Sequence, residues 1–500
     1  MLLIYALYIA VSVLLAVYGI NALVLTFLYL RTRDHGLSLP ETNEWPAVTV
    51  QVPTFNERYV VERVIEAVAN LDYPADRLQI QILDDSTDET MARAAARIAW
   101  HQARGLDITL LHRRDRVGFK AGALAAGLNG ATGEIIAIFD ADFVPPRDFL
   151  RQTVPYFVAR PELGMVQARW GHLNPDYSLL TRTQSLALDG HFIVEQSARQ
   201  RSGLFMNFNG TAGLWRHVCI DDAGGWRHDT VCEDLDLSYR AQLAGWQFLF
   251  LPDVEAPAEI PAQITAFKRQ QFRWAKGSIQ CARLLSRRVL GSRQPLIKRW
   301  QGIVHLTGYL VHPFMLLMLL ASVPLMAAGV SMYWPLAYLS LASLGPPILY
   351  AASQRALHTD WRRRCVGIAM LMLLGTGTAA SNTVAVFEAL AGRANVFLRT
   401  PKFGLETRGD HWSGKDYVLS ALSPLTIAEF ALSAFAGVGV AVALNHRNPV
   451  AALFLLLYTA GFGYVALLTV VHSLSGGWRG RRRRTALRRR MWPITGQGDS

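Results

Sequence analysis

The chain has 500 residues, a net charge of +12, 51% hydrophobic residues and a mean hydropathy of +0.19, too apolar for an ordinary soluble globule and long enough for two or more folding units. Cys219, Cys232, Cys281 and Cys365 are scattered with no CxxC spacing, which indicates neither a disulfide framework nor a zinc site and suits reduced thiols facing the cytosol. Much of the positive charge sits in "RGRRRRTALRRR", Arg479 to Arg490; directly after the apolar stretch Pro449 to His472, it fits anionic headgroups on the cytoplasmic side rather than nucleic acid.

In chain order, Leu2 to Leu30 carries no charge and is long enough to cross a hydrocarbon core of roughly 30 Å. It lacks the basic n-region and short h-region of a cleaved signal, and Arg31 and Arg33 follow it, so residues 1–30 read as a retained membrane helix with the N-terminus outside. Residues 45–295 have the composition of a soluble domain. The β-rich runs "AVTVQVPTF", "LQIQILDDS", "EIIAIFDAD" and "GMVQARW" alternate with helical periodicity, predicting an α/β fold with a mostly parallel sheet covered on both faces. Ligands bind beyond the carboxyl ends of such strands, where the pairs Asp84, Asp85 and Asp140, Asp142 fall.

Five apolar stretches follow: 303–330, 333–353, 365–387, 417–444 and 449–472. If all of them crossed, the terminal arginines would lie outside, against the positive-inside rule. The stretch 365–387 has a small, polar centre, "GTGTAASNT", and is flanked by Arg362, Arg363, Arg364 and Arg393. It is therefore expected to lie along or re-enter the cytoplasmic interface (365–392), leaving five spans and a basic cytosolic tail (473–500), with a sixth span as the alternative.

Asp140-Ala-Asp142 closes a strand, and strand alternation would turn both carboxylates to one side, where they could hold a divalent ion with diphosphate oxygens. In "VCEDLDLSYRA", Glu233 and Asp234 precede a helix; they serve either as an acidic cap on its dipole or, one of them, as a general base toward an acceptor hydroxyl. In "QQFRWAKG", Arg273 suits bidentate diphosphate binding and Trp274 suits stacking on a sugar, the alternative being a snorkelling interfacial helix.

Taken together, "VPTFNE", "ILDDS", "GFKAGAL", "FDAD", "FNGTAG", "CED" and "QQFRW" resemble the inverting family 2 glycosyltransferases, specifically the cellulose synthase superfamily, from about Val48 to Lys402. The stretch Asn174 to Arg216 is most similar to the plant mannan and glucan synthase-like branch and its bacterial relatives. The resemblance implies a cytosolic GT-A domain joined to an α-helical transmembrane domain. It places Thr54 and Glu57 at the base end of a nucleotide-sugar pocket, Asp84 and Asp85 at the nucleoside, Lys120 on the nucleotide, and Asp140 and Asp142 at diphosphate and metal, Mg2+ or Mn2+. It makes Asp234 the catalytic base beside Glu233, gives Gln270 and Arg273 to the diphosphate, and gives Trp274, Asn209, Gly210 and Thr211 to the acceptor. "FLRTPK", within 395–405, resembles a cytosolic gating loop with Phe397, Thr400 and Lys402. Cys232 stands where the family has threonine, and Arg399 where valine is common.

The implied protein is an integral inner-membrane enzyme that transfers sugar from UDP-glucose or GDP-mannose to a growing β-glycan and passes the polymer across the bilayer. A single transfer to a lipid acceptor is the nearest alternative, and a catalytically inert membrane scaffold is the alternative of another class. The basic tail is too short for a cyclic-dinucleotide-binding domain, so regulation by that route is not expected. Protein partners are not legible in the residues.

Overall fold

Strands β1 (Val48–Thr54), β2 (Leu78–Asp84), β3 (Ile108–His112), β4 (Ile135–Ile138), β5 (Leu163–His172), β6 (Gly213–Arg216) and β7 (Gln247–Ala258) form one sheet in the order β3-β2-β1-β4-β6-β5-β7. This computed structural model describes residues 1–33, 37–330, 339–395, 397, 399–419 and 423–491, with 476–491 described by backbone alone. All strand pairings are parallel except those of β6, which runs antiparallel to β4 and β5. The sheet is therefore the mostly parallel one expected, with three strands, β3, β6 and β7, that the sequence reading did not single out.

The alternation in "VTVQV" and "LQIQI" explains the register. Val48, Val50 and Val52 pack with Ile80 and Ile82 in one apolar layer under the helix Val61–Ala69, while Leu83, Ile136 and Ile138 face the helix Phe119–Leu128 in a second layer. On this second face, and at the strand ends, polar pairs lock β1 to β2. Thr49 Oγ1 donates to Gln79 Oε1 at 2.8 Å, Gln51 Nε2 to Gln81 Oε1 at 3.0 Å and Thr54 Oγ1 to Asp84 Oδ1 at 2.9 Å. A one-residue slip would bury every one of these groups unpaired.

The Asp-Ala-Asp triplet departs from expectation in its local structure. β4 ends at Ile138, and Asp140 begins a turn in which the Phe143 amide donates to the Asp140 carbonyl at 3.0 Å. A turn, not strand alternation, therefore sets the directions of the two carboxylates.

Among the described residues four helices are long and apolar enough to cross a membrane: Leu2–Thr32, Gly308–Ala327, Pro424–Asn445 and Pro449–Ser475. The expected span 333–353 lies partly outside the described residues; its described part is a short 3-10 turn, Ser340–Leu344, followed by the 13-residue helix Gly345–Leu357. The stretch 365–387 forms two helices, Gly367–Gly377 and Ala379–Leu390, in a unit bent by 45°. The break falls within the "GTGTAASNT" centre, where Gly377 lies so close to the Gly461 carbonyl that a Cβ would stand 2.2 Å from it, and where Asn382 Nδ2 meets His312 Nε2 at 3.0 Å. Small residues there let backbones meet, and Asn382 finds a partner on a neighbouring helix.

Candidate active site

A cavity of about 1740 Å³ opens beyond the carboxyl ends of the central strands and continues down between the apolar helices. Every site residue named from the sequence lines it except Asp84 and Thr211. Asp84 lies in the wall behind, wholly buried, with Thr54 Oγ1 on one oxygen and His112 Nδ1 at 2.7 Å from the other. Thr211 is also buried, and its Oγ1 accepts the Asp140 amide at 2.8 Å. These two residues hold the lining in place from behind.

The triplet's carboxylates are already paired with cations from elsewhere in the chain. Lys120, from the second residue of its helix, reaches Asp140 and also donates to the Gly210 carbonyl at 2.9 Å. Lys402 stands 2.7 Å from Asp142. Among the described residues no group of three or more His, Cys, Asp or Glu side chains forms a metal cage. Asp140 and Asp142, both on the cavity wall, fit a Mg2+ or Mn2+ ion that would complete its shell with substrate phosphates.

Glu233 and Asp234 open the helix Glu233–Leu243, and the Leu235 amide donates to Asp234 Oδ1 at 2.8 Å. Capping and chemistry are thus compatible: the helix end favours the charge, while one oxygen stays free for the cavity. Burial raises both carboxyls above their ordinary range, Asp234 further through the adjacent Glu233, with Lys120 and Arg273 pulling the other way. A carboxylate so raised is a stronger base. Gly210 makes the approach possible. Its φ is +84°, and a Cβ there would lie 2.9 Å from Asp234 Oδ2 and 3.5 Å from Lys120 Nζ.

The "QQFRWAKG" stretch lies within the 27-residue helix Ile264–Leu290. Its polar crowding has two causes. Gln270, Arg273 and Trp274 face the cavity, while Lys276 pairs with Glu388 on a neighbouring apolar helix, as Lys268, just before the stretch, does with Glu429. Cys232 sits over Gly277, where a Cβ would come within 2.3 Å of its sulfur, so this helix packs directly on the acidic turn.

The segment resembling a gating loop is docked over the pocket. Glu259 accepts the amides of Phe403 and Gly404 at 2.8 Å and of Leu405 at 3.2 Å. Phe397 stacks on Phe119 with centroids 5.8 Å apart, and the Arg273 guanidinium lies 4.6 Å from its centre. Val396 and Leu398 fall outside the described residues. Arg399 Nη1 lies 2.8 Å from Glu57 Oε2; burial lifts Glu57 to about 7, with Arg399 opposing. Sequence reasoning missed this pair because nothing local links residue 57 to residue 399. It also passed over Arg116, stacked 3.4 Å over Phe55 on the cavity wall.

A family model described as "Glycosyltransferase like family 2" matches residues 46–277. Glucomannan 4-beta-mannosyltransferase 2 of Arabidopsis thaliana is 36% identical over 384 residues, 73% of this chain and 68% of the relative. The chain belongs to glycosyltransferase family 2. Glucomannan 4-beta-mannosyltransferase 1 of Oryza sativa subsp. japonica is 42% identical over 268 residues, 52% of this chain and 51% of that one, which places the transferase in the cellulose synthase-like branch. The chain thus spans about half the length of some of the curated relatives it matches. A mannosyltransferase from Pyrobaculum calidifontis, solved with GDP-Man and Mn2+, aligns at TM-score 0.54 and 23% identity, covering 78% of the transferase and 100% of that chain. The likeness is one of fold, and the transferase's sheet is a GT-A-like one.

Proposed function

We propose that the protein is a membrane-integrated, inverting, metal-dependent mannosyltransferase that extends a β-linked glycan from GDP-mannose and passes the product along its own cavity. The observation that carries this reading is the continuity of that cavity, from Thr54 and Glu57 past Asp234 and Trp274 to Tyr8, Met318 and Tyr458 among the apolar helices. Donor, acceptor and exit share one space.

In this mechanism Asp234 takes the proton from an acceptor hydroxyl whose sugar stacks on Trp274, and the oxygen attacks the anomeric carbon opposite the departing diphosphate. One displacement of an α-linked donor gives a β-linkage. Arg273 and Gln270 stabilise the charge developing on the leaving diphosphate. Asp140 and Asp142 would hold the divalent ion, which neutralises diphosphate charge when bound; Lys120 and Lys402 must then release these carboxylates. The catalytic domain and the C-terminus face the cytosol in this reading, and the N-terminus lies outside.

A mannosyl donor is favoured by the mannosyltransferase relatives, and GDP over UDP by the Glu57 and Arg399 side chains at the base end. A carboxylate accepts the N–H edge of guanine, and a guanidinium donates to its O6 and N7. Glu57→Gln is accordingly expected to raise the KM for GDP-mannose about tenfold, the scale of one charge-assisted hydrogen bond, with kcat little changed. Initial rates against donor concentration check this, and an unmoved KM would remove Glu57 from base recognition.

The deciding experiment supplies purified protein in proteoliposomes with labelled GDP-mannose or UDP-glucose and Mn2+, followed by sizing and linkage analysis. A β-linked polymer from GDP-mannose is the expected product. The apolar lining of the lower cavity, with Leu373, Leu453 and Phe454, favours a second reading, a single transfer to a lipid. A product of one sugar on lipid would establish that reading and end the first.

A further inference from the structure

The helix Glu233–Leu243 begins without the side-chain cap that usually fixes the entrance of a helix. Cys232 holds the N-cap place and makes no such bond; its thiol turns instead to the Arg273 carbonyl, 3.9 Å away. A serine, threonine, aspartate or asparagine there would set the angle at which the chain enters. The Leu235 amide is met by Asp234 Oδ1, a group on the helix itself. That bond moves with the helix, so the direction in which the acidic turn points must be set from outside.

Two carboxamides, Gln280 and Asn395, supply the outside contact, and their hydrogen bonds run in one consistent direction. The Val231 amide donates to Gln280 Oε1 at 3.1 Å, which fixes that carboxamide. Gln280 Nε2 then donates to Asn395 Oδ1 at 2.7 Å. Asn395 Nδ2 is thereby turned to the carbonyls of Asp229 at 3.1 Å and His228 at 3.4 Å. Residues 228–231, the approach to Glu233, are held through an N–H and two carbonyls at once. Gln280 lies one helical turn past Gly277, on which Cys232 packs, and is buried. Asn395 is delivered from a fixed point, because Lys276 Nζ donates to the Ala394 carbonyl at 3.0 Å. A buried polar network with every member satisfied makes the backbone around it rigid.

We infer that Gln280 and Asn395 are positioning residues: their paired carboxamides clamp residues 228–231 and so aim the Asp234 carboxylate, in place of the cap that Cys232 does not provide. Neither side chain lines the cavity, so both act through the backbone ahead of Glu233 rather than on a sugar. The two come from distant elements, Gln280 from the helix that carries Arg273 and Trp274 and Asn395 from the start of the segment docked over the pocket. The inference rests on the reading of Asp234 as the base and names what holds that base in line.

The test compares wild type with Gln280→Met, which keeps the volume and deletes both hydrogen bonds, in proteoliposomes supplied with GDP-mannose and Mn2+. The kcat should fall about tenfold, less than the ~100-fold loss of a full displacement of about 1 Å, while the donor KM moves less than about threefold. Adding Cys232→Ser puts a hydroxyl at the cap position, so the double variant should regain at least about threefold in kcat although both Gln280 bonds stay missing. Packing alone would give no such rescue. An unchanged kcat in Gln280→Met, or a loss that Cys232→Ser does not relieve, overturns the clamp. Should Gln280→Met fail to fold, Asn395→Ala carries the same expectation and the same rescue, with the same results against it. Failure of the underlying reading shows separately, as an Asp234→Asn variant that transfers sugar at the wild-type rate.

Discussion

Asp234→Asn should abolish sugar transfer, by about 10³-fold, without unfolding the protein. The substitution keeps size and shape and leaves an oxygen for the Leu235 amide, but it cannot take a proton. Because burial and Glu233 raise Asp234, its charged form is disfavoured in the folded state. Its contribution to stability is present below the unfolded-state value and is lost as pH rises through the folded one. The neutral asparagine should therefore leave the thermal midpoint at neutral pH equal or higher. The wild-type kcat/KM should also show an acid limb well above the ordinary carboxylate range, since the base must be deprotonated to work. Transfer rates, a pH profile and a melting curve check the three together. A variant keeping more than about a tenth of wild-type activity would leave Asp234 as a helix cap only.

Gly210→Ala is the second large effect expected. At φ +84° an L-residue is strained by roughly 1–2 kcal/mol, a small fraction of a domain's stability. The geometric effect is greater, because the new Cβ would stand only 2.9 Å from Asp234 Oδ2 and push the base away from the acceptor. Displacement of a reacting group by about 1 Å costs on the order of 100-fold in rate. The loss should fall mainly on kcat, because the Cβ would crowd Asp234 Oδ2 at 2.9 Å while standing at ordinary contact distance, 3.5 Å, from Lys120 Nζ. An alanine variant within threefold of wild type would mean that Asp234 works from another position.

The parallel core was legible because the period-2 pattern of β1 and β2 survives intact in the sheet. Motif residues were legible where each carries its own chemistry, as Asp140, Glu233, Asp234 and Arg273 do. What sequence could not show was pairing across distance. Lys120 with Asp140, Lys402 with Asp142 and Arg399 with Glu57 are contacts made only when helices and a distant loop converge. Asp84 looked like a pocket residue beside Asp85, but its place at the end of a central strand turned it inward to Thr54 and His112. β6 was hidden because four residues are too few to show a period.

β6 is the seam of the sheet. It lies between β4, which Asp140 follows, and β5, and it precedes in the chain the helix that carries Asp234. A gene split in the loop before β6 would yield two polypeptides, each holding part of the chemistry and an unpaired strand border. Neither would transfer sugar alone, and co-expression would restore transfer only where the two fragments zipped together at that border.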